Sequence, residues 1–534
     1  MSAILNPIKK LRFLHPLLFS AFPVLSMFTA NIGSLDLPET YRAFVAALLL
    51  AVVIFLITRW ITKSWDRAAL LTSPIMLCVF AYGHFYNAIE DGNFGGLPAR
   101  SHILALGLWI LILTCWVLIV KKIKEFEKVN LVLSAMAIVM ISFPLADSFR
   151  YAGRTSTILP SADDALHIKL HWEGAPDEQP DIYFIILDGY ARADTLESIY
   201  GYDNSDFLDD LRQRGFSIAN HSYSNYDQTL LSLSSTLNLN YVQHIIPDLD
   251  PQSKNRTILD ELIHHSQAYR LLGEIGYRLV AFETPLPGTT ITEADVFWKP
   301  SRHGWLVETN YFEELLLYNS IFRVVLDSQT LSTHRLGEFI LEPSYETHRA
   351  RAMNIFERLA DVNQLQGNHL VIAHIVAPHP PFVFGPHGER LPYQGSFTLN
   401  DGSHYRGTRE EYIHHYRDQV IFVSSQILDT IDEILATADT PPIIILQADH
   451  GPGAYLDWGD IESTNLEERF AILNALYLPN LDDELLPSDL SPVNTFRVIF
   501  NAYFSTDLPL LANRSFFSGW DTPFDLTDVS SQLP

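Results

Sequence analysis

Ile182-Tyr183-Phe184-Ile185-Ile186-Leu187-Asp188-Gly189 and Ile443-Ile444-Ile445-Leu446-Gln447-Ala448-Asp449-His450-Gly451 are the two stretches that decide the fold of this chain. Each is an apolar run rich in β-branched residues that stops at a carboxylate. A strand without polar alternation is buried on both faces, as in a parallel sheet covered by helices. Runs at 277–282, 369–376 and 471–478 have the same character. Segments with helical spacing lie between them at 204–214, 257–275, 345–365 and 409–438. That order predicts an α/β domain, a mostly parallel sheet sandwiched by helices. In such sheets ligands gather at the carboxyl ends of the strands.

Asp188 ends the first run, and a carboxylate there either points at a ligand or simply opens a turn. Asp449 and His450 offer one oxygen and one imidazole at a single point, which suits a divalent metal such as zinc or manganese. The plain alternative is an Asp capping a turn beside an incidental His. Between them, Ser224-Asn225-Tyr226-Asp227-Gln228-Thr229-Leu230-Leu231-Ser232 leads into a Leu/Ser segment that can start a helix at Thr229. A hydroxyl at a helix start gains from the dipole and from any adjacent cation, though Thr also caps helices for structural reasons. The run at 369–376 carries His369 at its start, the wrong end for a site, and His374 within it; His379 follows between prolines, presented at the exit. Glu467-Glu468-Arg469 reads only as packing or surface charge.

Outward from this domain, five apolar stretches precede residue 150, at 13–34, 43–62, 68–89, 102–120 and 129–146. Each is near the roughly 20 residues that cross a bilayer. Lys9, Lys10 and Arg12, then Arg59, Lys63 and Arg67, then Lys121, Lys122, Lys124 and Lys128 lie on one side. The alternate loops hold Asp36, Glu39 and Arg42, then Glu90, Asp91 and Arg100. By the positive-inside rule the N-terminus is cytoplasmic, and five spans put everything after residue 150 outside. His84 and Asn87, beside Tyr82, Phe85 and Tyr86, read as an interfacial belt or as a lipid-headgroup contact. The expected organisation is a transmembrane domain of five helices at 1–147, a linker at 148–180 and an extracytoplasmic domain at 181–534. Of the 36 Lys+Arg and 62 Asp+Glu, residues 1–128 hold 12 and 7, which leaves 24 and 55 and a formal charge of −31 beyond them. That charge excludes nucleic acid as a partner. The two cysteines, Cys78 and Cys115, lie in apolar runs, so the polar two-thirds uses no disulfide.

In order, a strand ending at Asp188, Thr-x-x-Ser at 229–232, His-Pro-Pro-Phe at 379–382 and Asp-His-Gly at 449–451 resemble the sulfatase-like branch of the alkaline phosphatase superfamily. The preceding spans narrow the resemblance toward membrane enzymes such as lipoteichoic-acid synthases and lipid A phosphoethanolamine transferases. It implies that Asp188, Thr229, Asp449 and His450 bind a divalent metal ion (manganese, zinc or magnesium), with Thr229 also the nucleophile. His379, with His374, would lie on the substrate side. It implies a multi-pass protein of the inner (plasma) membrane that passes a phosphate-linked headgroup from a phospholipid donor to a glycan or lipid acceptor. The sequence departs from sulfatases proper, since Thr229-Leu230-Leu231 lacks their Cys/Ser-x-Pro-x-Arg context. It departs from phosphoethanolamine transferases in having no cysteine in the domain, and Tyr455-Leu456-Asp457-Trp458 where they place a further histidine. The competing expectations are a tethered phosphodiesterase or sulfuric ester hydrolase, and an inactive membrane scaffold.

Overall fold

The computed structural model describes residues 11–30, 37–91, 98–155, 168–175, 178–300, 310–326, 335–392, 398–481 and 486–534. The chain divides into two compact units. The first comprises Met1–Thr157, His303–Ser344 and Gln394–Phe397, and the second Ile158–Arg302, Tyr345–Tyr393 and Thr398–Pro534. Lys9, Lys10, Asp36, the end of the first expected span and linker residues 156–167 and 176–177 lie outside the described residues.

Among the described residues of the first unit, four stretches are long and apolar enough to cross a membrane: Leu37–Thr62, Trp65–Ile89, His102–Lys122 and Phe126–Phe149. The first expected span is a shorter apolar helix, His15–Ala30, of 16 residues. That is about 24 Å of helix against a hydrocarbon core of about 30 Å. Several polar side chains between these helices are paired with one another, which lowers the cost of placing them in an apolar medium. The His15 ring joins three helices, with Nδ1 2.6 Å from Ser73 Oγ and Nε2 2.9 Å from Asn130 Oδ1.

A segment from the later chain belongs to this unit. Asn310 and Glu313 form a reciprocal capping box at the start of the helix Tyr311–Tyr318. Asn310 Nδ2 donates to Glu39 O at 2.8 Å, and Arg42 Nε to Glu313 Oε1 at 2.7 Å. A Cβ on Gly83 would stand 2.5 Å from Asn319 Cα, so glycine permits that approach. Asn87, read as interfacial, accepts from Arg323, whose guanidinium stacks on Tyr86 at 4.0 Å.

The second unit is built on a seven-stranded sheet. Its strands are β1 Ile182–Leu187, β2 Phe216–Ile218, β3 Arg278–Phe282, β4 Val296–Trp298, β5 His369–Ile375, β6 Ile443–Gln447 and β7 Asn474–Tyr477, in the order β2-β7-β6-β1-β5-β3-β4. β1, at the centre, runs parallel to β6 on one side and β5 on the other. All six of its residues are buried, which explains its uninterrupted apolar sequence. β7 and β2 form an antiparallel edge. A separate hairpin pairs β8 Phe516–Gly519 with β9 Thr522–Asp528.

The helices expected at 204–214 and 409–438 are Ser205–Gln213 and Arg409–Thr437. The segment 257–275 is two helices, Thr257–His264 and Gln267–Glu274, because Ser266 turns extended and Asn238 Oδ1 takes the Gln267 N–H at 3.0 Å. β7 is shorter than its apolar run, since Ala471 and Ile472 pair instead with Tyr223 and Ala191 as isolated bridges. On one face of the sheet Ile182, Phe184, Ile186, Ile443 and Ile445 pack against Phe496 and Phe500. Phe184 and Phe496 meet edge to face, 5.6 Å between centroids at 87°. Phe496→Ala should therefore cost about 3–5 kcal/mol, measured by denaturant titration of the purified protein; a loss below about 1 kcal/mol would show that this contact does not carry the core.

Candidate metal centre

Because β6, β1 and β5 are neighbours in one parallel run, Asp188, Asp449 and the residues after β5 emerge along a single carboxyl edge. Asp188 and Asp449 are tied together there: the Gly189 N–H donates to Asp449 Oδ1 at 3.2 Å. Gly189 has a φ of +74°, a backbone conformation suited to glycine at this turn.

His450 Nδ1 lies 2.9 Å from Gly451 O, an acceptor only, so Nδ1 carries the proton and Nε2 presents its lone pair. That lone pair faces Thr229 Oγ1 at 3.1 Å, Asp449 Oδ2 at 3.4 Å and Asp188 Oδ1 at 3.6 Å. Thr229 is the first residue of the helix Thr229–Leu237 and follows Gln228, whose backbone is extended. Gln228 is fixed by its own side chain, which donates to Ser518 Oγ at 2.9 Å and accepts from Arg256 Nη2 at 3.0 Å.

Asp188 Oδ1 and Asp449 Oδ2 are buried and have no hydrogen-bond donor. Together with His450 they place three ligand-type atoms within 4.8 Å of one another. Two carboxylate oxygens without a donor and an imidazole lone pair that meets only the Thr229 hydroxyl, all turned inward, repel one another unless a cation lies between them. The donor set therefore fits a divalent metal, with Thr229 Oγ1 at its margin. A second group, His414, His415 and Asp418, also has three ligand-type atoms within 4.8 Å. There Arg417 Nη2 stands 3.1 Å from His414 Nδ1 and 3.8 Å from Asp418 Oδ1, so those groups already have a cation of the chain.

His379 lies beside the centre, its ring 6.0 Å from that of His450. Its N–H donates to Asp188 O at 3.0 Å, and Nδ1 donates to Pro380 O at 2.6 Å. Nε2 then points toward Asp401 Oδ2 at 3.8 Å. His374, expected with His379 on the substrate side, is fully buried behind Asp188, with Nε2 3.1 Å from Asp188 Oδ2. His369, at the far end of β5, bonds Asp181.

Three residues of consequence were not identified from the sequence. Glu468 and Arg469, read as packing or surface charge, are buried. Arg469 Nη1 donates to Asp401 Oδ2 at 2.7 Å and to Gly451 O at 2.9 Å, while Nε and Nη2 donate to Asp227 O at 2.9 and 2.6 Å. Asp401 also accepts from Tyr412 at 2.7 Å. No local pattern marks these residues, since Glu-Glu-Arg is also what a solvated helix end looks like.

Burial would raise the Asp188 carboxyl, but His379 and the hydrogen bond from His374 hold it well below the usual carboxylate range. Asp401 is lowered in the same way, with Arg469 and His379 overcoming burial. Asp227 shows the reverse, pushed up to about 7 by burial despite its bonds from Ser518. Burial also lifts Glu468 to about 7, although Tyr200 and the Tyr455 N–H donate to it.

Fold and site define an α/β domain with a buried Asp/Asp/His centre at the carboxyl edge of its sheet and a threonine hydroxyl against it. No family model matches the chain, and the search of curated proteins finds no match. Among solved structures, the C-terminal periplasmic domain of EcEptC from Escherichia coli, in complex with zinc, aligns at 12% identity and a TM-score of 0.43, over 69% of this chain and 97% of that one. The integral membrane protein lipooligosaccharide phosphoethanolamine transferase A from Neisseria meningitidis aligns at 12% identity and 0.38, over 92% and 95%. A 2-O GAG sulfatase aligns at 13% and 0.40, over 62% and 72%. At such values the reading of the site rests on its own geometry.

Glu468 has a measurable consequence. Its ordinary value is 4.5 and its folded value about 7, so in that window the folded protein keeps a proton the unfolded chain has released. Its contribution to stability is complete below the lower value and is lost as pH rises through the upper one. Glu468→Gln removes this titration, so the melting temperature of the variant relative to the native protein should rise between about pH 5 and about pH 8. A difference that stays constant with pH would contradict the assignment.

Proposed function

We propose that the chain is a membrane-anchored, metal-dependent phosphotransferase with Thr229 as its nucleophile. It would take a phosphate-linked headgroup from a phospholipid donor and pass it to a glycan or lipid acceptor outside the inner membrane. The observation that carries this reading is the Thr229 hydroxyl, 3.1 Å from His450 Nε2 at a helix start, beside two buried carboxylate oxygens that have no donor. The four apolar helices of the first unit support an anchor that keeps such an enzyme at a lipid surface.

Asp188, Asp449 and His450 would hold the cation, with Thr229 as a further ligand. Held there, a divalent ion would lower the pKa of the Thr229 hydroxyl and neutralise charge on phosphoryl oxygens. Thr229 Oγ attacks the donor phosphorus; the Thr229 Oγ–P bond forms and the P–O bond to the diacylglycerol breaks. The departing oxygen gains a proton and the threonine loses one, so the step balances. His379, with Nδ1–H fixed on Pro380, would bind the phosphate or deliver that proton from Nε2 when the ring also carries a proton there. The acceptor hydroxyl then attacks the phosphothreonine, and Thr229 recovers its proton as the Oγ–P bond breaks. Arg469 is buried, and four of its five N–H groups are engaged by Asp401, Gly451 and Asp227, so it would hold these segments in place and not the substrate.

Mass spectrometry of the protein from its native membrane should find an adduct on Thr229 whose mass identifies the headgroup. Thr229→Ala should lose the adduct and at least about 10³-fold in turnover. Undiminished turnover in that variant, or rapid release of aryl sulfate by the native protein, would defeat the proposal. Stripping metal with a chelator should lower the melting temperature, and zinc or manganese at about 100-fold over its Kd should restore about 2.7 kcal/mol. No response to any divalent ion would favour an inactive scaffold.

A further inference from the structure

His374 lies in β5 opposite Ile186 of β1, two residues before Asp188, and its side chain is 0% exposed. Both ring nitrogens are engaged. Nε2 is 3.1 Å from Asp188 Oδ2, and Nδ1 is 2.9 Å from Thr289 Oγ1. Thr289 closes the turn Pro287–Thr289, where hydroxyls interlock: Thr284 Oγ1 is 2.8 Å from Thr289 Oγ1 and donates to Leu286 O at 2.9 Å. The turn is seated close against the nucleophile helix. A Cβ on Gly288 would stand 2.6 Å from Leu230 Cδ2, on the residue after Thr229.

We propose that His374 and Thr289 form a clamp behind Asp188 that aims its Oδ1 at the cation, so that His374 acts on metal affinity and not on the substrate. This rests on the metal-dependent reading above. The carboxylate has two oxygens with opposite fates. Oδ2 is bonded to His374, while Oδ1 has no donor and stands 3.6 Å from His450 Nε2. A carboxylate at a strand end is free to rotate about its last bond; a hydrogen bond on one oxygen sets the plane and with it the direction of the other. Histidine can donate from Nε2 as a neutral ring only if Nδ1 accepts, and the Thr289 hydroxyl, 2.9 Å from Nδ1 and a longer 3.3 Å from Leu286 O, is the group placed to donate there. Without that hydroxyl the other tautomer becomes accessible, with a lone pair facing the carboxylate. Outer partners of this kind commonly govern metal affinity by about 10–100-fold.

The test measures zinc affinity of the purified full-length chain by competition with a chromophoric chelator. Thr289→Val and His374→Ala should each weaken zinc by about 10–100-fold. Thr289→Ser, which keeps the hydroxyl, should bind as the native chain does. The double variant should bind no more weakly than His374→Ala, because the two residues act in one chain of hydrogen bonds. At saturating zinc, Thr289→Val should recover the native KM. Asp449→Asn serves as the control for the metal reading itself. If Asp449→Asn loses zinc while Thr289→Val keeps native affinity, the clamp is wrong and the metal reading stands. If His374→Ala raises KM at saturating zinc with its zinc affinity intact, His374 faces the substrate and the proposal fails. If the native chain binds no zinc, the metal reading and the clamp fall together.

Discussion

Two carboxylate oxygens turned toward each other without a donor are the constraint around which the second unit is built. Asp188 Oδ1 and Asp449 Oδ2 are buried at the ends of adjacent parallel strands. Each partner oxygen is occupied, by His374 in one case and by the Gly189 N–H in the other. His379 and the hydrogen bond from His374 favour the charged form of Asp188 against the effect of burial. The arrangement depends on register. With side chains alternating between faces, a slip of one residue between β1 and β6 would turn one carboxylate away from the other.

Thr229 reaches this point through a different device. Arg469 is one planar guanidinium holding three segments: the Asp227 carbonyl two residues before Thr229, the Gly451 carbonyl next to His450, and the Asp401 carboxylate. A buried charge is tolerated only when it is paired and its donors are used, and here both conditions are met. Gly451 permits the approach, since a Cβ there would stand 2.0 Å from Glu468 O. The same Glu468 receives the N–H groups of Ala454 and Tyr455, so the loop after Asp-His-Gly is anchored from beneath. Helix, loop and strand ends are thereby held in one frame.

Much of this was legible locally. β1 and β6 match their apolar runs because burial on both faces leaves no polar alternation to blur their ends. Thr229 opens its helix where a polar stretch gives way to a Leu/Ser segment. Asp188, Asp449 and His450 come together because ends of neighbouring parallel strands must share an edge. The break at Ser266 was hidden, since Asn238, which caps the second helix there, comes from a distant part of the chain. The segment Asn310–Leu326 was also hidden, because its tie to the first unit rests on single pairs such as Asn310 with Glu39.

The sequence by itself determined the elements whose character repeats along the chain: apolar stretches long enough for a bilayer, two-face-buried strands, and the carboxylates and glycines that end them. These follow from solvation and backbone preference, which act residue by residue. Only the tertiary structure decided that His374 stands behind Asp188, that Glu468 and Arg469 are interior, and that Asp401 belongs near the centre. Each of those outcomes is a pairing between side chains far apart in the chain, and a charge or an imidazole gives no local sign of whether its partner will be water or another buried group.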